Sequence, residues 1–92
     1  MRRLFVWGTL KSDGCNHPFF LKNAKLVQLN FVFEEASLSY MKFGEIYEVN
    51  KEEFESIDRF EVGFGYKQYY NQRYNIYYYV GTNVKSDGRF IL

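Results

Sequence analysis

The run Arg3 to Trp7 (Arg-Leu-Phe-Val-Trp) is apolar on both alternating faces and closes at Gly8, which predicts a strand covered on both sides near the middle of a sheet. Gly8 to Gly14 has the composition of a loop. Asn16, His17 and Pro18 then supply a polar cap candidate and a proline suited to a first helical turn, so a short helix is expected over His17 to Lys22. Ala24 to Phe33 is rich in β-formers and reads as one long strand, with a second candidate at Ser37 to Met41. From Phe43 to Val49 a two-residue period puts Phe43, Glu45, Tyr47 and Val49 on one face and Gly44, Ile46 and Glu48 on the other. Asn50 followed by Glu53 is a capping box, and Val49 can staple onto Phe54, so a helix should run from Lys51 to about Phe60. Its inward stripe is Phe54, Ile57 and Glu61.

Gly63-Phe64-Gly65 marks a turn. Beyond it, Tyr66 to Tyr70 and Arg73 to Val80 read as strands joined through Asn71-Gln72, with Tyr74, Ile76, Tyr78 and Val80 on one face, and a short strand is expected at Arg89 to Leu92. The tetrapeptide Lys-Ser-Asp-Gly occurs at Lys11 to Gly14 and again at Lys85 to Gly88, and as a turn sequence it makes no structural repeat. The sum is an α+β fold. It is a small mixed sheet of five or six strands curled toward a barrel, with one clear helix and one short helix, in a single domain over residues 1–92.

Composition sharpens the picture of the core. Ten Phe, nine Tyr and one Trp outnumber Leu, Ile and Val together, so rings must fill much of the interior of a chain this short. A formal net charge of +1, without runs of like charge, argues against nucleic acid or an acidic membrane as partner. The single cysteine, Cys15, has no internal disulfide partner, and no leader-like or long apolar stretch precedes the first strand, so a cytoplasmic protein with no membrane association is expected. One Cys and one His are too few for an ordinary zinc site.

Among candidate chemical groups Glu61 stands out. It falls at a helix C-terminus, three residues after Asp58 and beside Phe54 and Ile57, and each of these surroundings would raise the pKa of its carboxyl toward that of a proton shuttle. The same features fit a side chain that frays into solvent. Glu45 is a rival inward carboxylate, or else an edge-strand residue paired to a Lys or Arg. The Gly8 to Gly14 loop, between a buried strand and a helix, could present backbone N–H groups to an oxygen, although it lacks the glycine spacing of phosphate loops. Cys15 with His17 reads as structural rather than as a thiol and its base, and the Tyr66 to Tyr79 stretch, with Lys67 and Arg73 as its basic residues, reads as core plus surface hydroxyls rather than as a base-stacking platform.

Three ordered segments carry a resemblance: Leu4-Phe5-Val6-Trp7-Gly8-Thr9-Leu10-Lys11 with Asn16-His17, then Gly44-Glu45-Ile46-Tyr47-Glu48-Val49, then Ile57-Asp58-Arg59-Phe60-Glu61 with Tyr66. In order and approximate spacing they resemble the gamma-glutamylcyclotransferase-like family. The resemblance implies a small mixed barrel, with Glu61 as catalytic general acid and base. Trp7, Gly8, Thr9, Leu10 and Tyr66 would be the substrate-binding residues, the loop amides and Thr9 meeting the substrate's oxygens. It implies release of 5-oxoproline from a gamma-glutamyl small molecule without metal or cofactor, by a monomer or weak homodimer. The chain departs from the family pattern at Trp7, where tyrosine is usual, at Val62, where glycine is common, and at Gln68, where arginine is frequent; the Pro-Gly loop between the strands around Phe33 and Phe43 is missing. A chain that kept the pocket and lost turnover would instead be a binding module on the same fold, such as a phage protein sequestering a host metabolite or signalling molecule.

Overall fold

Three successive apolar residues can all be buried in a strand only if both faces of the sheet are covered, and Leu4, Phe5 and Val6 of β1 (Arg2–Val6) are all nearly inaccessible. Leu4 and Val6 face one apolar cluster and Phe5 the other. The computed structural model describes residues 1–81. After β1 come α1 (His17–Phe20), β2 (Lys25–Glu35), β3 (Tyr40–Val49), α2 (Lys51–Gly63), β4 (Tyr66–Asn71) and β5 (Ile76–Gly81), with 3-10 turns at Gly8–Leu10 and Ala36–Leu38. The strands form one mixed sheet in the order β2-β3-β1-β5-β4. β1 lies antiparallel to β3, with Val6 opposite Glu45, and parallel to β5, with Leu4 opposite Tyr77. This is the expected small α+β architecture.

The first face of the sheet is covered by the helices, where Leu4, Val6, Tyr47, Val49, Phe54 and Ile57 pack together. The second is concave and aromatic. Phe33 packs against Phe5 at 5.5 Å and against Tyr78 at 4.7 Å between ring centroids, and Tyr40 meets Tyr78 at 5.3 Å. These contacts draw β2 over toward β5 and β4, and Asn71 Nδ2 donates to Glu35 Oε1 at 3.4 Å between the two outer strands. Among the described residues β2 and β4 share no strand ladder.

Several boundaries differ from those the sequence predicts. Ser37 to Met41 is not a separate strand: the Ala36–Leu38 turn ends on Ser39 in the left-handed region (φ 50°), and Tyr40 already opens β3 opposite Glu35. Helix α1 stops at Phe20 rather than Lys22. β2 is an edge strand with register shifts between Leu26 and Phe31 and a left-handed Asn30 (φ 54°), so Leu26, Val27 and Leu29 remain exposed instead of lining a core face. β5 begins at Ile76, not Arg73, because Asn71 Oδ1 accepts from Tyr74 N at 2.9 Å and a left-handed Asn75 (φ 56°) completes a turn over Gln72 to Asn75. Tyr74 therefore belongs to the turn.

The capping box of α2 forms as expected, with Glu53 N donating to Asn50 Oδ1 and Asn50 N to Glu53 Oε1, both at 2.8 Å. The helix continues to Gly63, past Phe60, so Glu61 lies inside its last turn. No described helix is long and apolar enough to cross a membrane. The strand expected at Arg89 to Leu92 and the second Lys-Ser-Asp-Gly segment lie outside the described residues.

A Cβ at Gly44 would fall on the Val6 carbonyl oxygen and against the Phe5 ring, whereas a Cβ at Gly63 meets nothing. Gly44→Ala is therefore expected to lower stability by about 3 kcal/mol or more, since the obstructing atom is backbone. Gly63→Ala should raise it by up to about 1 kcal/mol through helix propensity. Denaturant unfolding of the two variants checks the contrast, and equal stability of both would refute this account of the β1–β3 contact.

Candidate active site

The Trp7 to Leu10 segment turns sharply off the end of β1 and could not hold its shape alone. Gly8 takes a left-handed backbone (φ +69°) with open space around its α-carbon, so glycine is needed there for conformation rather than for room. Asn16 grips Thr9 twice, its Nδ2 donating to Thr9 Oγ1 and its backbone N to Thr9 O, both at 3.0 Å. His17 Nδ1 lies 3.0 Å from the Leu10 carbonyl oxygen; a carbonyl only accepts, so Nδ1 carries the hydrogen.

Glu45 then ties the loop to the sheet. Its carboxylate accepts from Ser12 N and Ser12 Oγ, both at 2.8 Å, and from the Tyr47 hydroxyl at 3.0 Å. Burial by itself would raise the pKa of this carboxyl, but the Ser12 and Tyr47 donors and the nearby Lys11 charge outweigh it and hold it below its ordinary value. The Tyr47 phenol, buried and donating to that anion, is pushed up to about 12. The partner of Glu45 is thus a serine of the loop, not the Lys or Arg that an edge strand would offer.

Glu61 has the opposite surroundings. It is 4 % exposed, follows Phe54 and Ile57 on the inward stripe of α2, and accepts no hydrogen bond from any described residue. It borders a hollow of about 10 Å³, room for one water, walled by Leu4, Val6, Trp7, Leu10, Ile57 and Tyr79. Burial pushes its carboxyl from 4.5 to about 7. Asp58 does not contribute as the sequence suggests: its carboxylate is turned away, accepting from Gln68 Nε2 at 3.0 Å and from the Tyr79 hydroxyl at 2.8 Å.

A larger cavity of about 330 Å³ also borders Trp7, lined among others by Leu38, Tyr40, Lys42, Tyr66 and Val80. The two spaces are electrostatically connected. After burial, the Glu61 charge is among the causes that raise the Tyr40 and Tyr66 phenols. Both hydroxyls are buried; that of Tyr66 has no hydrogen-bond partner among the described residues, while the Trp7 side chain lies close enough to that of Tyr40 to oppose the rise.

Trp7, Leu10 and Glu61 therefore meet at the small hollow, and Trp7 and Tyr66 meet at the large one with their rings 6.2 Å apart. Gly8 is exposed, and the Thr9 hydroxyl, accepting from Asn16, keeps only its own proton to donate; neither residue borders either space. Cys15 is exposed and His17 is committed to Leu10, so they make no thiol and base pair. Tyr79, Tyr40 and Lys42 escape sequence reasoning, because only the pairing of β3 and β5 on either side of β1 brings them to Trp7. Asp58 and Gln68 sit within the compared motifs, but their mutual bond has no local signal. No three His, Cys, Asp or Glu side chains gather as metal ligands among the described residues.

The Glu61 surroundings set a pH dependence. The unfolded carboxyl ionises near 4.5 while the folded one keeps its proton up to about 7, so between these values the folded state binds more protons and stability falls as pH rises. Above the window the loss is complete. Glu61→Gln does not titrate, so its stability relative to wild type should climb across the window by on the order of 3 kcal/mol. Denaturant unfolding of both proteins as a function of pH measures this, and a constant difference would rule out a raised Glu61 pKa.

No family model matches this chain, and no curated protein sequence matches it. The structure is similar to the crystal structure of the uncharacterized protein PH0828 from Pyrococcus horikoshii, with a TM-score of 0.66 and 27% sequence identity over 99% of this chain and 86% of that one.

Proposed function

We propose that the protein is a cyclotransferase that releases 5-oxoproline and a free amine or amino acid from a gamma-glutamyl compound, with Glu61 as general acid and base. The observation that carries this reading is a buried carboxyl deprived of hydrogen-bond donors and poised near neutrality, with the pinned Trp7 to Leu10 loop beside it. The approach of β2 and β4 at Glu35 and Asn71 supports regarding the curled sheet as the small barrel of the gamma-glutamylcyclotransferase-like family.

The substrate occupies the 330 Å³ cavity, a volume in the usual range for small-molecule sites, and its glutamyl end reaches Glu61 past the Trp7 indole. Ionised Glu61 removes a proton from the substrate α-ammonium. The freed nitrogen attacks the γ-carbonyl carbon of the same molecule, so proximity is built into the substrate and no nucleophilic side chain is needed. A carbon–nitrogen bond forms, and the carbonyl oxygen takes up the negative charge of a tetrahedral intermediate. On collapse the bond to the departing nitrogen breaks and protonated Glu61 delivers its proton there. In all, the attacking nitrogen sheds two protons and the departing nitrogen gains two, which returns Glu61 to its starting state.

Trp7 in place of the family's tyrosine removes a hydroxyl but keeps a ring wall between the two spaces. Gln68, where arginine is frequent in the family, donates to Asp58 and so holds the turn of α2 that carries Glu61.

A screen for 5-oxoproline release over gamma-glutamyl amino acids, gamma-glutamyl-ε-lysine and glutathione tests the reading. At least one substrate should turn over, with kcat/KM rising with pH and levelling above about 7 as Glu61 ionises. Glu61→Gln should lower kcat by roughly 10²–10⁴-fold with the fold intact. Unaltered turnover in that variant would remove Glu61 from the mechanism. Tight ligand binding without product, indifferent to the substitution, would make the protein a binding module instead.

A further inference from the structure

The 330 Å³ cavity contains more chemistry than the cyclisation of the glutamyl group uses. Among the described residues, Lys42 is its only charged lining residue. The Lys42 ammonium lies 4.2 Å from the centroid of the Trp7 ring and makes no ion pair with any carboxylate of the described residues. An ammonium carries three donors, and a ring face satisfies it from one side only, so donors remain for a ligand. The side chain is half-buried, and the Trp7, Leu38 and Val80 surfaces around it are apolar, which strengthens any charge pairing made there. One cation with free donors, in a cavity whose described lining is otherwise uncharged, matches an anionic oxygen ligand.

Resting on the proposed reaction, we propose that Lys42 is a specificity-determining residue that binds the carboxylate of the leaving amino acid, so that gamma-glutamyl amino acids and peptides are preferred over gamma-glutamyl amines. The preference has an attractive and a repulsive side. A substrate whose leaving group ends in a carboxylate gains a charge-assisted pair with Lys42, and the same ammonium offsets the repulsion between that carboxylate and ionised Glu61. A leaving group that carries an ammonium and no carboxylate, as in a gamma-glutamyl polyamine, meets a like charge in a poorly solvated space. Lys42 lines the larger space and Glu61 the small hollow, and Trp7 borders both. The scissile bond then spans the two spaces.

A matched pair of substrates isolates the carboxylate: gamma-glutamylalanine and gamma-glutamylethylamine differ in that group alone. The wild-type protein should favour the alanine compound by about tenfold or more in kcat/KM. Lys42→Met should lower kcat/KM for the alanine compound, chiefly through KM, at least tenfold more than for the ethylamine compound, and Lys42→Arg should restore part of the preference. A second measurement does not depend on turnover. Titration calorimetry of Glu61→Gln, with and without Lys42→Met, against the same two compounds reads the preference as binding.

Selective weakening of the alanine compound in both experiments supports the assignment. Equal losses for the two compounds, or no preference in the wild-type protein, overturn it, since Lys42 would then act only by propping Trp7. If no compound yields 5-oxoproline but the Lys42-dependent binding preference persists, the reaction fails and the carboxylate subsite stands.

Discussion

The bond between the Glu45 carboxylate and Ser12 joins the two parts of the molecule on which the rest depends. The Gly8 to Gly14 segment contributes little apolar surface apart from Leu10, so it cannot be held by packing, and a loop of this composition would otherwise sample many conformations. Two donors from Ser12 and one from Tyr47 saturate a carboxylate that β3 carries into the interior. With Asn16 on Thr9 and His17 on Leu10, the loop is fixed at three points. Its position then decides where Trp7 stands, and Trp7 decides how the interior is divided into two spaces.

Two buried glutamates, on neighbouring elements, end in opposite states. Glu45 has donors at both oxygens and remains an anion; Glu61 has none and is half-neutral near pH 7. Burial acts in the same direction on both. What differs is hydrogen bonding to the charged form, which repays desolvation for Glu45 and is missing for Glu61. A saturated carboxylate is a good anchor and a poor base, whereas a starved one can move a proton at modest cost. The nearby Asp58 is removed from competition by its bonds to Gln68 and Tyr79.

The aromatic excess has a geometric role. Rings of Phe5, Phe33, Tyr40 and Tyr78 fill the concave side of the sheet with few residues, and their edge-on contacts draw an open five-stranded sheet into a curl. Tyr40 and Lys42, on β3, come beside Trp7 through the pairing of β3 with β1, and they share the larger cavity with Tyr66. Tyrosines that look interchangeable along Tyr66 to Tyr79 thereby part company: Tyr78 packs the aromatic core, Tyr79 walls the hollow at Glu61, and Tyr70 is exposed.

Much of this is local and is written in the sequence. The buried β1, the capping box of α2 and the inward stripe ending at Glu61 depend on residues within a few positions of one another, where periodicity and capping chemistry are decisive. Turn geometry is less legible, since left-handed Ser39 and Asn75 move strand ends by several residues, and the bulged β2 loses the alternation that would reveal its faces. Tertiary structure alone decided that Glu45 meets Ser12, that Asp58 turns to Gln68, that burial alone raises Glu61, and that Lys42 lies on Trp7. Each of these joins residues far apart in the chain or depends on total solvent exclusion. Hydrogen-bond partners and desolvation follow from positions in space, which spacing along the chain does not encode.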